Sequence, residues 1–507
     1  MEKKSPLFSR KFPRWTGTGV KVLILLVWAG LMGLLAERNL FQPQALKVTP
    51  ALARDALKTG EEWWGVYWKG EKIGFAVTEQ DLRQERIQVR ERLWLKMALL
   101  GLPQTIEQAL DYTLTEKLTL ESFDFQLQSG LFPFRISGWV QDSPQDSRKR
   151  LLLKVRSGGR EQEQQVVLTE APFILGQTKL HFLTEGLEAG KKYRIPIFDP
   201  TTLSSAEMIA EVEDLERLTI RGEERKLFRV RQEYRGLSVK SWIDPNGHTW
   251  KEESPVGLVL VRESQSEARF QNWSSGKLAD LLALTAVPSD REIPNPRSLS
   301  YLRVKLHSGG LTGLKVEGDR QTRVGDEVII EKEDVPPPVP EKQPLPDGEK
   351  EAALRSTPFI QSDHPEVRGQ AMAIVGGSSD PVERVRKLTA WVYREVRKQP
   401  VMSVPSALEV LRQRVGDCNE HAVLFVALAR ALGIPARQQA GIIYQEGKFF
   451  YHAWAQVYVG AWLTADPSLN QVPADAAHIR LVEGDLDRQA DLVKVIGRLR
   501  VEVKEFR

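Results

Sequence analysis

The chain has 507 residues, more than one hydrophobic core usually organises, so at least two folded domains are expected. Its formal net charge is +4, but Lys3, Lys4, Arg10, Lys11, Arg14 and Lys21 against Glu2 place that excess in residues 1–21. The near-neutral remainder argues against nucleic acid as a partner, and a lone cysteine, Cys418, rules out internal disulfides and thiolate-built zinc sites.

The basic stretch precedes an apolar run, "VLILLVWAGLMGLLA", from Val22 to Ala36. It is short of the ~20 residues that span a bilayer comfortably, but Val20 and a snorkelling Lys21 extend it. No small-residue cleavage pattern follows, which favours an uncleaved anchor over a removed signal. Residues 1–37 are therefore expected to be a cytoplasmic basic tail and a transmembrane helix. The charge asymmetry then places the rest outside the cytoplasm, which is the periplasm if the cell is Gram-negative. Residues 38–60 are expected to form a linker or a short helix.

From residue 61 to 334 the apolar residues recur with period two, the mark of strands with one face buried. "RIQVRERLWLKM" and "ALDYTLTEKLTL" alternate in this way. "KRLLLKVRSGGREQEQQVVL" and "LSVKSWIDPNGHTWKEES" are expected to be hairpins turning at Ser157-Gly158-Gly159 and Pro245-Asn246-Gly247. A mostly antiparallel β region follows, in one or two subdomains, with a short helix expected in "FDPTTLSSAEMIAEVEDLERL". The aromatic stretch "EEWWGVYWKGEKIGF" invites a carbohydrate-binding reading, but Trp64, Val66 and Trp68 alternate before the Lys69-Gly70 turn and suit a strand core better.

Residues 335–350, with "VPPPVPEKQPLPDGEK", are expected to be an extended linker, because proline fixes φ and removes amide donors. Helical spacing returns in a domain over residues 351–490, followed by a tail at 491–507. "DPVERVRKLTAWVYREV" has Asp380 as N-cap and Pro381 in the first turn, and "SALEVLRQR" supplies a second helix. A third begins after Gly416, with Asp417 as N-cap and Cys418 in its first turn, and it ends at Gly433 before Pro435. At a helix N-terminus the free N–H groups and the dipole favour a thiolate, so Cys418 is expected to be nucleophilic at neutral pH.

A cysteine nucleophile needs a proton carrier and a group to orient it. Three strands follow, through Gly441–Tyr444, Phe449–Val459 and Trp462–Ala465, carrying His452 and ending at Asp466. A two-residue turn at Gly460-Ala461 would put Asp466 on the wrong face. A three-residue loop 459–461 pairs Tyr458 with Trp462, makes Asp466 a diagonal same-face neighbour of His452, and is the register expected.

"GDCNEHAVLFVALARALGIPAR" followed by "YHAWAQVYVGAWLTADPSLNQ" resembles the core of the transglutaminase-like superfamily, over roughly residues 355–485. That superfamily sets a cysteine at a helix start against a histidine and an aspartate on adjacent strands, in a papain-like arrangement. The resemblance implies Cys418 as nucleophile, His452 as general base and acid, and Asp466 as the orienter of His452. It implies an α+β C-terminal domain and a cysteine peptidase, amidase or acyltransferase without cofactor or metal, acting on a protein or peptide of the cell envelope. The overall layout is similar to bacterial membrane-anchored proteins with a β-rich region before this domain.

Blander readings compete with each assignment. A lone cysteine is more often a small buried hydrophobe, and Asp466 before Pro467 could simply start a turn; the agreement of helix start, His and Asp outweighs both. His421, on the face of Cys418, has no evident orienting partner and is assigned to packing. Trp454 and Trp462 are assigned to packing around the strands, and Asn470 and Gln471 have no separate chemical role. "VEGDLDRQADL" lacks the spacing of a calcium loop. The rival of another class is a catalytically silent scaffold that binds protein or peptidoglycan in the envelope.

Overall fold

The computed structural model describes residues 44–45 and 59–507, apart from 84–85, 100–101, 131, 143–147, 158, 180–181, 183–186, 271–285, 308–310, 312, 337–343 and 402. The expected basic tail and membrane span lie outside the described residues, as does most of the segment 38–60. Among the described residues no helix is long and apolar enough to cross a membrane.

The period-two alternation between residues 60 and 263 becomes one antiparallel sheet. Its order runs from Lys192–Asp199 through Ser204–Ile220, Glu223–Tyr234, Leu237–Ile243 and Thr249–Glu253 to Leu258–Glu263. Leu258–Glu263 pairs with Gly60–Trp68, from which the sheet continues in chain order to Arg160–Leu168. Trp64 and Val66 of that joining strand are buried, so the aromatic stretch is core. Both expected hairpins form, Lys149–Ser157 with Arg160–Leu168 and Leu237–Ile243 with Thr249–Glu253.

The helix expected within residues 198–218 is instead part of the long strand Ser204–Ile220. Met208, Ala210 and Val212 are buried alternately, and Glu211 and Glu213 pair with Arg231 across the sheet. The cross-strand partners decide, because alternation and i,i+4 spacing overlap in a segment this rich in small and acidic residues.

The stretch just before the prolines packs with the C-terminal part of the chain. Strand β1 (Val287–Pro288) pairs with β6 (Lys448–Tyr458). Strands β2 (Tyr301–His307), β3 (Gln321–Val324) and β4 (Glu327–Glu331) make a small sheet with β9 (Arg500–Phe506), so residues 500–506 are a strand and not a tail. Leu302, Val304 and Ile330 share a core with Ile442, Tyr444, Phe449 and Ile479.

The sheet that carries the site contains β5 (Ala436–Gln445), β6, β7 (Trp462–Ala465) and β8 (His478–Glu483), with β5 between β6 and β8, and β7 on β6. Helices α1 (Pro365–Val375), α2 (Pro381–Glu395), α3 (Ala407–Gln413) and α4 (Cys418–Ala431) pack together against it. Helix α4 is buried nearly all round, with Leu424, Phe425, Val426 and Leu428 fully enclosed beside Ala455 and Val457 of β6. A segment hydrophobic on every face belongs in the centre of such a domain. Phe359 and Val404 enter the core of the large sheet, and Arg160 makes a two-pronged contact with Asp363 at 3.1 and 3.0 Å. Arg160, hydrogen-bonded to Asp363, holds that carboxyl down to about 2.

Candidate active site

Helix α4 starts as its sequence dictates. The Asp417 side chain accepts from the Asn419 N–H at 2.9 Å, and Glu420 reaches back to accept from the Asp417 N–H at 3.0 Å. This reciprocal cap satisfies two donors that the helix leaves open. Gly416 makes it possible, because a Cβ there would lie 2.2 Å from the Cβ of Glu420. Ser403 donates to Glu420 at 2.6 Å, and burial beside Asp417 pushes the Glu420 carboxyl well up. Cys418 follows the cap and is half-buried.

The strands deliver the expected register. Glu446 and Gly447, with φ of 50° and 80°, form the two-residue turn between β5 and β6 that pairs Gln445 with Lys448. Gly460, with φ of 96°, lies in the three-residue loop that pairs Tyr458 with Trp462 and Ala455 with Ala465. Asp466 therefore follows on the face of Trp454 and His452, and its Oδ2 lies 2.8 Å from His452 Nε2.

The Asp466 carboxylate is fully buried and saturated. Oδ1 accepts from the Ser468 N–H at 2.7 Å, the Ser468 hydroxyl at 2.7 Å and the Leu469 N–H at 3.1 Å. Oδ2 faces His452 and also Nε2 of His478, at 3.0 Å. Burial alone would raise this carboxyl, but the two imidazoles outweigh it and hold Asp466 well below the usual carboxylate range.

His478 was not singled out from the sequence. It opens β8, which lies beyond β5 from His452, and the pairing of β5 with β8 slips by a bulge between Ala440 and Gly441. A Cβ on Gly441 would stand 2.0 Å from the Ile479 carbonyl oxygen, so only glycine lets the strands approach there. Trp454 is fully buried, with its ring 5.2 Å from that of His478, and its indole N–H donates to Gln439 at 2.8 Å, which is the packing role expected of it. Gln471, given no role from the sequence, pairs its backbone with Asp466 and donates its side-chain amide to Asp475 at 2.9 Å.

His421 is fully enclosed, with Nδ1 2.6 Å from the Asp417 carbonyl and Nε2 3.2 Å from the Val396 carbonyl. Burial lowers its basicity, in keeping with a packing role.

The thiol departs from expectation. Burial pushes Cys418 well up, and the carboxylates of Asp417, Glu420 and Asp466 add to that, against the pull of the Ala453 N–H. Burial, together with the acids around the sulfur, outweighs the pull of the helix dipole on it.

The donor atoms of His452, Asp466 and His478 lie within 4.8 Å of one another, near enough to converge on a metal ion. Both Nε2 atoms, however, aim at one oxygen at hydrogen-bond distance, which is the geometry of shared protons.

Residues 368–467 match the sequence profile of the transglutaminase-like superfamily, so the chain carries a domain of that superfamily containing Cys418, His452 and Asp466. No curated protein sequence matches the chain. Among solved structures, it is similar to a "putative cysteine protease" from Cytophaga hutchinsonii, with 18% identity, a TM-score of 0.27, and coverage of 42% of this chain and 85% of the other. It is also similar to a β-barrel-like protein of a domain of unknown function from Brucella abortus, with 11% identity, a TM-score of 0.30, and coverage of 40% and 94%.

Proposed function

We propose that this chain is a cysteine hydrolase of amide or peptide bonds, with Cys418 as nucleophile, His452 as proton carrier and Asp466 as its orienter. The observation that carries the reading is the pairing of a half-buried His452 with the buried Asp466 at 2.8 Å, on strands packed against the helix that begins with Cys418. A neutral resting thiol fits a route in which His452 takes the sulfur proton as the sulfur attacks the carbonyl carbon. In this reading the Cys418 N–H at the helix start donates to the oxyanion, since that of Asn419 is committed to Asp417. His452 then passes its proton to the departing amine as the C–N bond breaks, leaving a thioester. Water resolves the thioester, giving a carboxylic acid and restoring the thiol. An amine in place of water would give transamidation; hydrolysis is favoured because water is always at hand. The basic N-terminus and its apolar run support a membrane-anchored protein whose substrate is a protein or peptide of the cell envelope.

The raised thiol favours a second reading, a silent scaffold for protein or peptidoglycan. The two are separated by incubating the full chain with envelope peptide extracts, quenching in acid and weighing the Cys418 peptide. Acyl adducts that hydroxylamine releases and that vanish in His452→Ala support the enzyme, and an unmodified Cys418 under all conditions supports the scaffold.

A further inference from the structure

The hydrogen bonds around His478 define its charge. Its Nε2 faces Oδ2 of Asp466 at 3.0 Å and its Nδ1 faces Oδ1 of Asp475 at 2.9 Å, with all three residues buried. An ionised carboxylate only accepts, so each ring nitrogen must bear a hydrogen. A histidine with both nitrogens protonated is a cation. Asp475 is held below the usual carboxylate range by His478 and Arg297, and Arg297 lies 3.0 Å from its Oδ2. The Gln471 amide and the Ala477 N–H also donate to Asp475, both at 2.9 Å. The groups thus form a row of alternating charge from Asp466 through His478 and Asp475 to Arg297, with His452 facing its first member.

Other neighbours leave this assignment intact. Trp454 presents its ring to His478, and Arg320 donates to the His478 carbonyl at 3.2 Å, away from the imidazole. Burial opposes a charged imidazole, yet the two carboxylates outweigh it and raise His478.

We propose that His478 is a positioning residue of the candidate site, an imidazolium that shares Oδ2 of Asp466 with His452 and so offsets the charge of the carboxylate that orients His452. The inference rests on the hydrolase reading for its purpose, but not for its geometry. The physical need is plain. An Asp466 carboxylate facing His452 alone would hold a proton on that ring, and a base that is already protonated cannot take one from sulfur. His478 supplies the counter-charge, so Asp466 orients His452 without locking it in the charged form. Asp475 and Arg297 keep the counter-charge in place.

The size of the effect follows from the separation of the two rings. Their centroids are 5.8 Å apart. At an effective dielectric of about 20, removing a unit charge at that distance corresponds to a shift of about 2 pH units, and solvent and relaxation reduce it to about 1–2.

Two measurements test the proposal. In the first, the full chain with 15N-labelled histidine is examined at pH 8, above the ~6.5 of a free imidazole. A doubly protonated imidazole that persists in His452→Ala and disappears in His478→Gln is expected, and its absence from the wild-type chain overturns the proposal whether or not the chain is an enzyme. In the second, the rate of Cys418 alkylation by iodoacetamide is followed against pH in wild type and His478→Gln. The acid limb is expected to move up by about 1–2 units in His478→Gln, because glutamine can still donate to Asp466 but carries no charge. A lower rate with an unmoved limb would reduce His478 to a structural role and overturn the proposal. Should His478→Gln not fold, the labelled native chain still decides. Failure to trap an acyl adduct on Cys418 would remove the enzyme reading and leave the imidazolium result standing.

Discussion

Replacing Asp466 by Asn keeps the shape of the side chain and removes its charge, which makes it a direct perturbation of the buried row. Oδ1 takes three donors and Oδ2 faces two imidazole Nε2 atoms, with the residue wholly enclosed. An amide offers one acceptor atom and one NH2. Whichever way it is turned, at least two donors meet an N–H, and His478 loses one of its two counter-charges. Breaking a buried charge pair by removing one partner costs about 3–5 kcal/mol. At about 1.4 kcal/mol per decade, local opening around the site should become roughly 150- to 4,000-fold more frequent. Hydrogen exchange measured by mass spectrometry on peptides covering residues 462–484 reads this directly. Those peptides should exchange faster by two decades or more in Asp466→Asn, while the large sheet at residues 102–168 stays unchanged. Exchange within threefold of wild type across 462–484 would refute the claim that the carboxylate is the hub of the site.

Other consequences follow from the same contacts. Gly441→Ala should destabilise by about 3 kcal/mol, because the obstacle to its Cβ is the Ile479 backbone, 2.0 Å away, and strand β8 must move; a melting temperature within a degree of wild type would contradict this. Arg320→Ala should cost about 3–5 kcal/mol, since it leaves the Glu333 carboxylate unpaired next to Thr464 and frees the carbonyls of Ala474 and Asp475; denaturant unfolding reported by the site would show it. The pH dependence of stability has two signs. Asp466, depressed in the fold, contributes stability that is present above its unfolded value near ~3.9 and is lost as pH falls through its folded value; His478, raised in the fold, contributes stability that is complete below ~6.5 and is lost as pH rises through its folded value. Protection of residues 462–484, corrected for intrinsic exchange, should therefore peak between about pH 4 and 6.5, and a peak above pH 8 would contradict the assignment.

The local chemistry was readable where a short segment determines its own geometry. The loop 459–461 fixes the register of β6 and β7, and with it the meeting of His452 and Asp466, because a one-residue change would turn Asp466 to the other face. The cap of α4 and the turn at Glu446-Gly447 are equally local. What escaped reading depends on contacts distant in sequence. His478 reaches Asp466 only because β8 pairs with β5 through a bulge at Gly441. The Asp475-x-x-His478 spacing, with a carboxylate to hold the ring, was the signal available. The thiol is raised by burial and by Asp417, Glu420 and Asp466, the last of them 48 residues away along the chain. Likewise, strand β2 pairs with β9 across nearly the whole C-terminal part, so the change of core falls well before the Pro-rich stretch, of which residues 337–343 lie outside the described residues.

The central claim is that imidazole and sulfur work as one unit, and the single cysteine makes its test unambiguous. The rate of Cys418 carboxamidomethylation at pH 7 should fall by about 100-fold or more in His452→Ala, the loss expected when a positioned base is removed. Equal rates in the two proteins, each folded by circular dichroism, would show a sulfur that ignores the histidine and would contradict the account.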